Sequence, residues 1–171
     1  MKKSGFTLVE LIVVIAIIAV LAAVVAPNAF KAIDKAKTSG CSEDFNSIKT
    51  AAHAYFGDCG AWPAAQADFT VDPSATGWEG PYLEKWPGGG RWASSAVTYT
   101  RATGTVFGAN SVQERYISIT NVPTDAAVGA PRSAAEKIDT IIDGTVSDTA
   151  GNCRFGLGAG TTTVNILITR G

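Results

Sequence analysis

One carboxylate stands out among the residues that could do chemistry, because Glu10 lies inside a long apolar run. Phe6–Ala26 holds 21 residues, of which only Thr7 and Glu10 are polar. A carboxylate in an apolar helix is costly and usually marks a functional partner, yet the run has no cation one helical turn away. If the chain is cut between Gly5 and Phe6, a new α-ammonium appears four residues before Glu10 and is cationic at neutral pH. In a bundle of identical helices, Glu10 of one copy can pair with that amine of a neighbour.

The other residue types form no catalytic constellation. His53 has no cysteine or carboxylate at metal-ligand spacing, so it is interpreted as a surface helix histidine. The run Gly156–Gly160 precedes a strand instead of opening a helix, and Gly88–Gly90 lacks the Lys-Ser/Thr of a phosphate loop. Neither G-x-S-x-G nor H-E-x-x-H occurs. The sequence therefore predicts no enzyme.

The apolar run is long enough to cross a bilayer. As a helix it spans about 31 Å, the thickness of the hydrocarbon core. Its Leu, Ile, Val and Phe residues together contribute about −4 to −8 kcal/mol to the free energy of membrane insertion, whereas a central charge costs at most ~3.5 kcal/mol. Insertion is therefore favourable even with Glu10 present. Lys2 and Lys3 should then stay cytoplasmic.

A cleaved secretory signal peptide is an alternative interpretation of this segment, but no Ala-x-Ala site ends the run. A plain signal anchor is another, and it leaves Glu10 unexplained.

The segment Gly5-Phe6-Thr7-Leu8-Val9-Glu10, followed by the apolar helix, resembles the type III signal of type IV pilins and type II secretion pseudopilins. The resemblance implies that a prepilin peptidase cuts after Gly5 and methylates Phe6. It also implies that Glu10 engages a neighbour's N-terminus and that Pro27 is the proline at the end of the membrane segment. Losing Lys2 and Lys3 leaves 12 basic against 15 acidic side chains, a net charge of −3.

Three segments follow from this interpretation: a leader at 1–5, a transmembrane and filament-core helix at 6–27, and a globular domain at 28–171. Helical spacing predicts one long helix over Phe6–Phe56, interrupted near Pro27 and at Ser39-Gly40. Beyond Pro27 one face is apolar, so this half of the helix should pack on the domain. Its predicted stripe is Phe30, Ile33, Cys41, Phe45, Ile48, Ala52, Tyr55 and Phe56.

The rest of the chain alternates turn signals and short strands. Residues 61–95 are predicted as a long loop that contains four tryptophans, several of which should pack it against the domain. Strands are predicted at Ala96–Arg101, Val112–Thr120 and Thr162–Thr169, with a short one at Asn152–Phe155. Ser133 and Glu136 form a capping box that opens a helix ending at Gly144. The expected fold class is α+β, a small antiparallel sheet packed on the long helix, and the resemblance implies the pilin fold.

The three cysteines leave two pairings open. A continuous helix separates Cys41 from Cys59 by about 27 Å, too far for a disulfide. One of them can pair with Cys153 in the oxidising compartment that a translocated domain enters. Cys59 lies at the helix end and Cys41 on the buried stripe, so Cys59–Cys153 is favoured over Cys41–Cys153. Three free thiols are the remaining alternative.

The segment Gly80–Trp86 is similar to a loop of major, G-type pseudopilins, in which an Asp-rich calcium loop follows. Here Pro87–Trp92 has no acidic residue. Asp139, Asp143 and Asp148 are candidate oxygen ligands, but they are dispersed. No cofactor is therefore predicted, with calcium as the alternative.

The resemblance implies a structural protein that forms a helical homo-oligomeric filament. Its expected partners are prepilin peptidase, an inner-membrane platform protein, an assembly ATPase and, before assembly, the membrane; the near-neutral charge suggests no nucleic acid. The protein would begin as a single-pass inner-membrane precursor and end in a periplasmic or cell-surface filament. A surface type IV pilus for adhesion, motility or DNA uptake is favoured, with a type II secretion pseudopilin as the alternative. A membrane-anchored binding module that uses the tryptophan-rich loop is a second alternative.

Overall fold

A single long helix dominates the fold. The computed structural model describes residues 6–87, 91–92, 95–103, 106–107, 112–124, 133–147, 150–156 and 160–170. Helix α1 covers Leu8–Cys59, 52 residues, which corresponds to a length of about 78 Å. It ends at Gly60, whose φ of 65° is a left-handed conformation that glycine adopts without steric cost. The helix is therefore one turn longer than the apolar stripe predicts.

The predicted interruptions of α1 are absent, because the helix continues through both Pro27 and Ser39-Gly40. Pro27 removes one backbone hydrogen bond, but the bonds on either side keep the segment helical. Gly40 is buried, and the Arg91 side chain lies against it. This tertiary contact outweighs the low helix propensity of glycine, which amounts to about 1 kcal/mol.

Four antiparallel strands form the sheet. Strands β1 (Val97–Thr103), β2 (Gln113–Pro123), β3 (Cys153–Phe155) and β4 (Thr161–Arg170) lie in the order β1-β2-β4-β3. Each predicted strand is present, with ends shifted by up to three residues. β3 pairs antiparallel with β4, with Phe155 opposite Val164. The predicted α+β architecture, a long helix on a small antiparallel sheet, is confirmed.

The short helix α2 (Ala134–Asp143) packs against α1 and β3. Its capping box is the predicted one: Ser133 Oγ accepts from Glu136 N, and Glu136 Oε2 accepts from Ser133 N at 2.7 Å. Gly144 ends the helix in the left-handed conformation.

The core lies between one face of the sheet, α2 and the second half of α1. Alternation along β2 and β4 turns the same face of the sheet inwards. The stripe on α1 is buried from Cys41 to Tyr55, as predicted, but Phe30 and Ile33 are 65% and 52% exposed and Phe56 is 40% exposed. The domain covers a shorter length of helix than the stripe suggests. Fully buried aliphatic residues of the core are Ile48, Ile117, Ile119, Val122, Ile138, Val164 and Ile166.

Candidate functional site

Glu10 takes part in the N-terminal cap of α1. Thr7 is the N-cap residue, and its Oγ1 accepts from Glu10 N at 3.2 Å. In return, Glu10 Oε2 accepts from Thr7 N at 2.8 Å and from Thr7 Oγ1 at 2.7 Å. These two residues form a capping box that satisfies backbone donors of the first turn. Both contacts use Oε2, so Oε1 remains open to a cation from another molecule.

The first half of α1 extends away from the domain with no covering contact. Every residue from Phe6 to Ile33 is exposed, a length of about 42 Å. In the described part of the chain, α1 is the helix long and apolar enough to cross a membrane, and its best window has a mean hydropathy of 3.2 with nothing buried. Such an apolar surface requires lipid or other helices around it.

The residues predicted for processing lie at the start of this extension. Phe6 is 76% exposed, whereas Gly5, together with Lys2 and Lys3, falls outside the described residues. Pro27 is exposed within the helix, two turns before the first residue that contacts the domain. Cleavage, methylation and the assembly roles of Glu10 and Pro27 remain predictions.

Two ion pairs attach the domain to the helix. Lys137 Nζ of α2 lies 2.6 Å from Asp34 Oδ2. Farther along, the Arg91 guanidinium binds Asp44 through both carboxylate oxygens at 2.9 Å and donates to the Gly40 carbonyl at 3.3 Å. A Cβ on residue 40 would lie 2.7 Å from Arg91 Cζ. The glycine therefore gives the guanidinium room to reach the helix backbone.

The tryptophan-rich loop packs on the end of α1. Trp62, Trp86 and Trp92 lie against the core cluster, and Trp86 Nε1 donates to the Val97 carbonyl at 2.8 Å. Trp78 contacts Tyr82 edge-on, with ring centroids 5.9 Å apart. Three of the four tryptophans therefore pack on the core, which confirms the expectation that several of them do.

His53 and Phe56 both contact Trp62 from α1. Phe56 stacks on Trp62 at a centroid distance of 4.6 Å, and the His53 ring meets Trp62 edge-on at 5.3 Å. His53 is exposed, and its observed partner is this aromatic ring.

All three cysteines are free thiols in the structure. Cys41 and Cys153 are buried in the core, while Cys59 is half-buried. Burial raises the pKa of the Cys41 thiol to about 12 and also raises the pKa of Cys153. Because the thiolate is the reactive form, a bridge to Cys153 would have to form before the core closes. The Cys59–Cys153 pairing remains a prediction.

The acidic residues considered for calcium stabilise a loop. Asp139 Oδ2 accepts from Ser147 N at 2.6 Å. Asp143 Oδ2 accepts from the amides of Asn152 and Cys153, both at 2.8 Å. Asp148 lies outside the described residues. Among those described, no group of three acidic, His or Cys side chains is arranged for a metal.

We expect calcium to have little effect on stability. Backbone amides bind one oxygen of Asp139 and one of Asp143, and no third acidic, His or Cys side chain among the described residues completes a site around them. The melting temperature should change by less than about 1 °C between EGTA and millimolar calcium chloride. A bound ion at 100 times its Kd would add about 2.7 kcal/mol, or roughly 5–10 °C for a domain of this size. A rise of that magnitude would contradict the prediction, and magnesium chloride provides the control.

Sequence comparison defines the class of protein. Residues 1–26 match the family described as the prokaryotic N-terminal methylation motif. Residues 32–107 match the family described as PilW, C-terminal. The N-terminal segment is therefore a prepilin-type methylation motif, which confirms the predicted resemblance to type IV pilins and type II secretion pseudopilins, a family of structural proteins.

The chain is also similar to a protein of a type II secretion system. The type II secretion system core protein G of Pseudomonas aeruginosa, strain PAO1, is 34% identical over 94 residues. The alignment covers 50% of this chain and 66% of that protein, so the chain spans just under two thirds of its relative's length. No solved structure matches the chain significantly.

Two features of the site escaped sequence reasoning. The Thr7-x-x-Glu10 spacing is a capping box and could have been identified from its residue types. The contact of Arg91 with Gly40 has no local signal, because 51 residues separate the two. A glycine inside a strongly helical pattern was the available hint that something approaches closely.

Proposed function

We propose that this chain is a structural subunit of a type IV pilin-like filament, released from its leader by prepilin peptidase between Gly5 and Phe6. The observation that carries the proposal is the uncovered apolar helix from Phe6 to Ile33, with Glu10 in its first turn. A bilayer covers the apolar run from Phe6 to Ala26 in the precursor, and a bundle of like helices covers it in the filament.

The pairing of Glu10 with a freed N-terminus defines the stagger between neighbouring copies. In the membrane precursor, the local cap supplies three contacts with Thr7. After cleavage, the new ammonium of one copy reaches the open Oε1 of another, so two charges are neutralised in an apolar setting. Contacts of this heterologous kind repeat without closing and generate a helical filament. The assembly ATPase and the platform protein supply and position new subunits.

We propose a surface pilus as the destination of the filament. The second candidate is a type II secretion pseudopilus, and the identity with core protein G favours it. Deleting the gene in the native host distinguishes the two. Loss of surface filaments with normal exoprotein secretion supports the pilus, and loss of secretion supports the pseudopilus.

Intact-mass measurement of protein from the native host tests the processing step. The mature chain should lack residues 1–5 and carry one added methyl group. Gly5→Leu should retain the leader and yield no filament, because the bulky side chain occupies the cleavage position. Ser4→Ala is the matched control and should be processed normally. A wild-type protein that retains its first five residues would contradict the proposal and favour a membrane-anchored module.

A further inference from the structure

Two exposed surfaces lie at opposite ends of the globular domain, and each has apolar residues beside charges of one sign. We call the first the base surface; it consists of Phe30, Lys31, Ile33, Lys35 and Lys37. We call the second the top surface; it consists of Phe56, Asp58, Val71, Asp72 and Glu79. We propose that the top surface of one copy docks on the base surface of another copy of this chain. This proposal rests on the filament function proposed above.

The base surface lies on the helix where the domain begins. Phe30 and Ile33 are 65% and 52% exposed. An open groove of about 600 Å³ is lined by Ala23, Ala26, Pro27, Phe30, Ile33, Asp34 and Lys37, and the charge of Asp34 is paired with Lys137. Lys31 and Lys35 are exposed one turn apart on the neighbouring side of the helix. The base therefore presents an apolar groove with positive charge at Lys37 and beside it, unpaired among the described residues.

The top surface lies where α1 ends and the loop folds over it. Phe56 is 40% exposed and Val71 is 64% exposed. Tyr82 Oη donates to Asp58 Oδ2 at 2.8 Å and accepts from Glu79 N at 3.2 Å, so Tyr82 connects these two acidic residues. Asp72 directly follows Val71 and is exposed, and its Oδ1 accepts from Ser74 N at 2.7 Å.

Within the described residues, no ion pair neutralises the charges of these surfaces. Ion pairs in the described residues join Asp34 to Lys137 and Asp44 to Arg91, so they use neither the base lysines nor the top carboxylates. Residues 50–84 contain five carboxylates and no Lys or Arg. Of these, Asp68 is buried, and its side chain accepts from the amides of Ala64 and Ala65. The top is acidic and the base is basic, and complementary potentials of this kind determine which surfaces meet.

The distance between the top surface and the base surface means that only a second copy can bring them together. The domain contacts α1 from Asp34 to Asp58, which are about 36 Å apart along a helix. One chain cannot bring its own top to its own base. Copies that run parallel and are displaced by about this distance place the top of one against the base of the next, with the apolar residues central and the charges at the rim, as in stable interfaces.

Charge reversal in the full-length chain, expressed in the native host, tests the pairing. The base variant is Lys31→Glu with Lys35→Glu, and the top variant is Asp72→Lys with Glu79→Lys. Each should reduce the sheared, pelleted filament at least about tenfold, because like charges then face each other. The combination of all four substitutions should restore filament to within about threefold of wild type. The control is Glu43→Lys with Lys49→Glu. It reverses two exposed charges on the part of α1 that lies between the two surfaces, and it should assemble normally.

Each outcome decides the proposal. Rescue by the combined variant supports docking of top on base. If wild type and both reversed variants assemble equally well, this inference is wrong while the filament function stands. If wild type forms no filament and shows no role in secretion, the proposed function itself fails. If only the base variant is defective and the combination does not rescue it, the lysines serve another partner, such as anionic lipid headgroups, and the docking proposal is overturned.

Discussion

Glu10→Ala is expected to be cleaved and methylated like the wild type, yet to yield less than about one tenth of the assembled filament. Cleavage depends on Gly5 and Phe6, which the substitution leaves intact. In the filament, the variant leaves the neighbour's ammonium buried without a carboxylate. Removing one partner of a buried ion pair costs about 3–5 kcal/mol, which corresponds to roughly a hundredfold or more in each contact. Intact mass reports processing, and sheared filament measured by immunoblot reports assembly.

Glu10→Gln separates the charge from the helix cap. A glutamine at the third helical position still completes a capping box, so its side-chain oxygen can accept from Thr7 N as Glu10 Oε2 does. It carries no charge for the ammonium. The Gln variant should therefore be as defective as the Ala variant. Thr7→Ala retains the charge and loses the cap, worth about 0.5–2 kcal/mol, and its filament yield should fall much less.

The opposite order of these variants would show that Glu10 serves the helix start alone. Glu10→Gln would then assemble like the wild type, whereas Thr7→Ala and Glu10→Ala would be similarly defective. In that case the pairing between copies would be abandoned, and the carboxylate would be explained by its contacts with Thr7. These three variants therefore distinguish a contact between molecules from one within a molecule.

The sequence predicted those parts of the fold whose determinants are local. The capping box of Ser133 and Glu136 marks the start of α2, and alternation locates the strands to within about three residues. Local rules failed where a distant residue decides the structure. Gly40 suggested a break in the helix, but Arg91, far along the chain, packs on that glycine and binds its carbonyl.

The residues of the candidate site also divide into those with a local sequence signal and those placed by distant contacts. Glu10 and the cleavage motif are contiguous, so their types and spacing suffice to identify them. The top surface could not be predicted, because Asp58 and Glu79 are connected only through Tyr82 of the folded loop. The stripe on α1 even suggested that Phe30 and Ile33 belong to the core. Their exposure depends on where α2 and Lys137 meet the helix, and the sequence carries no periodic signal for that position.

Phe69→Ala is expected to lower the melting temperature of the full-length chain in detergent by about 10 °C. Phe69 is fully buried at the end of a short 3-10 helix, Gln66–Phe69, within the segment that the sequence predicts as a loop. Its ring contacts those of Trp86 and Tyr99 at 5.6 and 5.2 Å, and its carbonyl accepts from the amides of Tyr82 and Leu83. Truncating a buried phenylalanine costs about 3–5 kcal/mol, and each kcal/mol shifts the melting temperature of a domain of this size by roughly 2–4 °C.

Near-ultraviolet circular dichroism is the appropriate measurement, because all four tryptophans lie between residues 62 and 92 and report on packing around Phe69. Far-ultraviolet signal is less informative, since the membrane half of α1 stays helical in detergent. Val71→Ala, at a side chain 64% exposed two residues away, is the matched control and should shift the melting temperature by less than about 2 °C, since exposed substitutions cost under about 0.5 kcal/mol. If Phe69→Ala and Val71→Ala shifted the melting temperature equally, the prediction would be wrong, and the loop would unfold independently of the core. The top surface would then lose its rigid support, because the carbonyl of Phe69 holds the backbone of Tyr82, whose hydroxyl connects Asp58 and Glu79.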